Sequence, residues 1–153
     1  MMEANWENAV KTIASALKIN KNSAEYYIAL GQCYLELEKN KDALIKFMHA
    51  LRLKPSAVSS WQELVRGLYI SDFFDEALVQ LDEAEQKVGR KPVFQYYRAA
   101  VLIAQGRTKE GLIQLETALQ LAPRQLKKMV ELDPTLLQHT SVVELIARYR
   151  KKK

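Results

Sequence analysis

The sequence predicts an all-α chain built from stacked helix pairs. Three observations carry that prediction. Proline and glycine are sparse, 4 and 5 among 153 residues, and helix formers fill the stretches between them. Apolar residues recur at helical rather than strand spacing, as in Leu44, Phe47, Met48 and Leu51, or Val142, Leu145, Ile146 and Tyr149. A period of 34 residues runs through the chain, with Pro55 and Pro123 two periods apart.

In windows that begin at Ala24, Val58 and Pro92, columns of like residues line up. Tyr27 falls over Trp61, Leu30 over Leu64, and Tyr34 over Leu68 and Leu102. Ala43 falls over Ala77 and Gly111, Phe47 over Leu81 and Leu115, and Ala50 over Ala84 and Ala118. Small residues mark close approaches of two helices, and large ones fill the space beside them.

The chain divides in order. Residues 5–20 form an amphipathic helix whose Ala9, Ile13, Ala16 and Ile19 match Ala43, Phe47, Ala50 and Leu53 one period later. This is the second helix of a repeat without its first. Two readings stand: a solitary capping helix, or the C-terminal part of a longer array. Either way Trp6 and Ile13 are expected to be partly uncovered, which invites self-association. Residues 24–57 form repeat 1, with helices over 24–37 and up to about 53 and a turn at 38–41. Residues 58–91 form repeat 2, with helices over 59–71 and 74–88. Residues 92–123 form repeat 3, with helices over 93–104 and 109–121 and a turn at Gln105-Gly106-Arg107. Pro55 and Pro123 stop the second helices. Residues 124–153 are capping helices and a basic tail. A short helix covers 124–132, Asp133-Pro134 opens another short segment, and the Ser141…Glu144 capping box starts a final helix to about Arg150. The apolar stripe of that helix is expected to close repeat 3; the alternative is that it folds into a groove as a built-in ligand.

The window AEYYIALGQCYLELEKNKDALIKFMHALRLKP resembles a tetratricopeptide repeat (TPR), through Tyr27, Leu30, Gly31, Tyr34, Ala43, Phe47, Ala50 and Pro55. The second window is similar through Trp61, Leu64, Leu68, Ala77, Leu81 and Ala84, and departs at Val65 and Gly89. The third keeps Ala99, Leu102, Gly106, Ala118 and Pro123, but Gln95 and Arg98 stand where the family has an aromatic residue and a leucine. Phe94, Tyr97 and Val101 are the substitutes expected to carry its buried face. The resemblance covers residues 5–123. It implies a right-handed superhelix of antiparallel helix pairs and a non-catalytic scaffold that binds a peptide or partner helix in a concave groove lined by first helices.

The groove residues are then those of each first helix left over from the core. They are Glu25, Ile28, Gln32, Leu35 and Glu36 in repeat 1, Ser59, Gln62, Arg66, Tyr69 and Ile70 in repeat 2, and Val93, Tyr96, Ala100, Ile103 and Ala104 in repeat 3. One class of TPR domain grips the C-terminal carboxylate of acidic chaperone tails with Lys, Asn and Arg. At those places this chain has Ile28, Gln32, Glu63, Val93 and Tyr97, so a carboxylate-clamp ligand is rejected. The stripe favours a ligand with an apolar anchor and a basic residue near Glu36.

Composition narrows the rest. The formal charge is +5, from 23 Lys/Arg against 18 Asp/Glu. Arg148, Arg150, Lys151, Lys152 and Lys153 supply the whole excess, so the repeats are neutral and a broad nucleic-acid face is not expected. Binding of nucleic acid through the tail is the alternative function, as is service as the regulatory domain of a larger enzyme. Cys33 is the single cysteine and the two histidines lie far apart in sequence, which gives no metal or disulfide framework. No phosphate-binding glycine loop, GxSxG elbow or HExxH motif occurs. The reading is therefore no enzyme, no cofactor, no membrane span and, with no secretory signal, a cytoplasmic protein, the alternative being a fragment of an exported one.

Overall fold

The computed structural model describes residues 2–151, with side chains from Asn5 to Arg150. Lys152 and Lys153 of the basic tail lie outside the described residues. The described elements are helical, and they form two compact units that meet in sequence between Phe73 and Phe74.

The first unit holds α1 (Met2–Ile19), α2 (Ala24–Glu36), α3 (Asn40–Leu53) and α4 (Val58–Ile70). Consecutive helices pack on one another, and α4 also touches α2. Ser23 caps α2, its hydroxyl accepting from the Tyr26 amide at 3.2 Å. Phe47 of α3 is fully buried between two glycines. A Cβ on Gly31 of α2 would lie 2.5 Å from the Phe47 ring, and one on Gly67 of α4 would lie 3.1 Å from it. The glycines therefore set how closely three helices approach one aromatic plug. Trp61 is buried, and its indole N–H donates to the Pro55 carbonyl at 2.8 Å, tying α4 to the loop before it. His49 is half-buried, its ring stacked on Tyr27 at 3.9 Å. Burial, then the nearby Arg52 and Lys46, hold its pKa below the usual histidine value.

The second unit holds α5 (Phe74–Val88), α6 (Pro92–Ala104), α7 (Thr108–Leu121), α8 (Leu126–Leu132) and α9 (Thr140–Lys151). Short 3-10 turns at Pro123–Gln125 and Pro134–Gln138 flank α8. Pro92 occupies the first turn of α6, where its missing N–H costs nothing. Phe94, Tyr97 and Val101 are buried, as expected of the residues that replace the family's usual pattern. Arg98, in the place of a leucine, instead reaches Asp82 at 2.9 Å and Glu85 at 3.0 Å on α5. These two carboxylates are thus cross-helix ion-pair partners. Gly111 stands where the other repeats have alanine because Ile103 fills that space: a Cβ there would lie 2.6 Å from Ile103 Cγ1 and 3.0 Å from the Ala99 carbonyl oxygen.

The turn inside each helix pair repeats with the sequence period. Glu38, Asp72 and Gly106 all have positive φ, at 60°, 63° and 82°. In each case the next residue's amide bonds back across the turn, Lys39 to Tyr34, Phe73 to Leu68 and Arg107 to Leu102, at 2.8–2.9 Å. These are Schellman caps, which satisfy helix-end carbonyls with a left-handed residue.

Beyond Pro123, α8 packs on α6 and α9 packs on α7. Asp133 caps the second 3-10 turn by accepting from the Thr135 amide at 3.0 Å. The final helix starts at Thr140, so Ser141 lies inside its first turn instead of capping it; His139, in extended conformation, holds the cap position. Val142, Leu145 and Ile146 are buried.

Candidate functional site

In the first unit a cleft of about 420 Å³ opens among α1, α2 and α4. From α1 come Trp6 and Ile13, both half-exposed. From α2 come Gln32, Cys33 and Glu36, one helical turn apart at i and i+4 for the two polar residues. From α4 come Glu63 and Arg66. The apolar wall is supplied by α1, and the polar wall by α2 and α4.

Two carboxylates and one guanidinium line the cleft. Glu36 is exposed, and Glu63 keeps only 16% of its side chain exposed. Oε2 of Glu63 is buried and has no hydrogen-bond partner. Arg66 Nη1 is its ion-pair partner at 3.7 Å, beyond hydrogen-bond reach. Glu36, this ion pair and the Trp6 indole thus line one cleft. Cys33 is buried, and burial, followed by the Glu36 charge, pushes its thiol pKa up, so it lines the cleft as a small apolar group.

Of the groove residues read from the sequence, the structure brings Gln32, Glu36 and Arg66 into this cleft. Glu25 is committed elsewhere, to Lys54 Nζ at 2.6 Å, a contact that holds its carboxyl below the usual value. Ile28 and Gln62 are half-buried, Ser59 and Ile70 are exposed, and Leu35 and Tyr69 are buried. The open face expected on α6 needs correction. Val93, Tyr96, Ala100 and Ile103 are 5%, 0%, 0% and 3% exposed, leaving Ala104 at the helix end as the exposed one. The cause is local: α8 packs directly on α6, and the Tyr96 hydroxyl donates to the Ala122 carbonyl at 2.8 Å. Burial, with Tyr149 of α9 adding to it, pushes the Tyr96 pKa up to about 12. Spacing places these residues on one face but cannot say that α8 covers it. Nothing in the spacing joins Glu63 to Trp6; the available signal is that Trp6 and Ile13 share an unpartnered face.

Among the described residues no helix is long and apolar enough to cross a membrane.

No family model matches the chain. Superkiller protein 3 of Saccharomyces cerevisiae is 27% identical over 124 residues, covering 77% of this chain, and the chain spans 9% of that protein's length. Among solved structures, MamA is similar with a TM-score of 0.70 at 16% identity, over 99% of this chain and 90% of that one. TTC0263, a thermophilic TPR protein of Thermus thermophilus, gives 0.64 at 18%, over 97% and 90%. YrrB, described as a TPR protein with an unusual peptide-binding site, gives 0.61 at 19%, over 97% and 84%. The likeness to these structures is one of fold, and it agrees with the 34-residue columns and the repeated caps: the chain has the tetratricopeptide-repeat fold.

Proposed function

We propose that the chain is a non-catalytic protein-interaction module that takes a partner segment in the cleft among α1, α2 and α4. The observation that carries this reading is exposed Glu36, which lines one cleft with half-exposed Trp6 and with Glu63, whose charge Arg66 already meets. A lysine or arginine of the partner pairs with the exposed Glu36 carboxylate and stacks its stem on the indole. An apolar neighbour in the partner covers Ile13. The peptide-binding site named for YrrB supports the general mode, since the two share a fold. The acidic bias, absent from the sequence-wide charge, makes the choice of a basic segment specific.

A peptide array tests this. Ligands for the intact chain are expected to be enriched in Lys or Arg next to an aliphatic residue, and Glu36→Lys is expected to erase that enrichment. Ligands without charge preference contradict the reading.

A further inference from the structure

The second unit carries a separate unpartnered surface. Helix α8 is apolar on two sides. Met129 and Leu132 are buried by the chain, while Leu126 and Val130 face a hollow of about 490 Å³. Val143 and Ile146 of α9 and Leu137 of the turn between them line the same hollow. Leu137 and Val143 remain 43% and 45% exposed, large apolar side chains in contact with water. The rim is cationic: Arg150 borders the hollow, and Arg124 and Lys127 border its extension along α8, against Glu131. Among the described residues, the salt bridges found leave Arg124, Lys127 and Arg150 unpaired.

We infer that this groove docks an amphipathic helix of a partner protein, with an apolar stripe flanked by carboxylates. Charge complementarity selects the acidic flanks, since three unpaired cations against one carboxylate border the apolar floor and its extension along α8. The apolar floor selects a helix. An extended segment would bring unpaired amide and carbonyl groups against a lining made mostly of hydrocarbon, whereas a helix satisfies them internally. The lining residues also recur at i and i+4 on α8 (Leu126, Val130) and i and i+3 on α9 (Val143, Ile146), forming ridges that receive a third helix. This docking is independent of the cleft in the first unit.

The probe is a synthetic helical peptide with leucines at i, i+3, i+4 and i+7 flanked by glutamates, compared with its lysine-flanked counterpart on the full chain. At low salt the glutamate peptide is expected to bind about tenfold or more tightly than the lysine one. Val143→Asp is expected to weaken it by about tenfold or more, and Arg150→Glu to cancel or reverse the charge preference. Both side chains are exposed, so thermal melting should be unchanged; Leu137→Asp serves as a second variant if Val143→Asp unfolds. Equal affinity for the two peptides, or binding indifferent to Val143→Asp and Leu137→Asp, overturns the proposal. So does a dimer of the chain that Val143→Asp abolishes, because the occupant is then a second copy, or capture of anionic lipid vesicles through the same residues.

Discussion

The hydroxyl of Tyr96 donates a 2.8 Å hydrogen bond to the carbonyl oxygen of Ala122, joining the second turn of α6 to the residue that caps the C-terminus of α7. The ring is fully buried, so this polar end has no water to fall back on. The residue is therefore a lock between helices and not a ligand anchor. Tyr96→Phe leaves the Ala122 oxygen short of its partner and is expected to cost about 1–2 kcal/mol in urea unfolding. Binding at the cleft of the first unit is expected to be unaffected.

The same residue gives an alkaline signature. Its folded-state pKa rises from 10.0 to about 12. Between those values the unfolded chain loses the proton while the folded chain keeps it, so stability falls as pH rises. The contribution is fully present below pH 10 and lost through about pH 12, on the order of 2–3 kcal/mol. Comparing wild type with Tyr96→Phe isolates this slope from that of the other tyrosines; equal slopes would show that burial does not hold the phenol neutral.

Gly31→Ala is expected to destabilise the chain by about 1–3 kcal/mol, because the new methyl meets a Phe47 ring that is already enclosed. Gly31→Ala combined with Phe47→Leu should recover part of that loss, which a thermal-melt cycle on the four proteins measures.

Glu38 and Asp72 occupy the left-handed position that Gly106 fills without strain. Glu38→Gly and Asp72→Gly are each expected to stabilise by about 0.5–1 kcal/mol, relief of strain outweighing the added chain entropy. Gly106→Ala is expected to lose about 1 kcal/mol. Denaturant midpoints for the three variants check the opposite signs.

How much of this is legible in the sequence follows from what repeats. Helix pairs are visible because Ala43, Ala77 and Gly111, or Phe47, Leu81 and Leu115, recur at one period, and core geometry permits little else in those places. The left-handed turns are visible only at Gly106, since Glu38 and Asp72 carry no glycine to announce them. For the cleft, helical spacing correctly puts Gln32 and Glu36 on one face. It fails for Val93, Tyr96, Ala100 and Ile103, because period and spacing fix which face a residue occupies while the packing of α8 decides whether that face is open. Trp6 belongs to another helix altogether, and joining it to Glu63 requires the fold.

The role of the cleft is tested most directly by calorimetric titration of the chain with two short peptides, identical except that a central lysine beside leucine is replaced by glutamate. The lysine peptide is expected to bind about tenfold or more tightly, and Glu36→Lys to remove that difference without lowering the melting temperature. Equal affinities, or a preference that survives Glu36→Lys, would contradict the assignment of this cleft as the partner site.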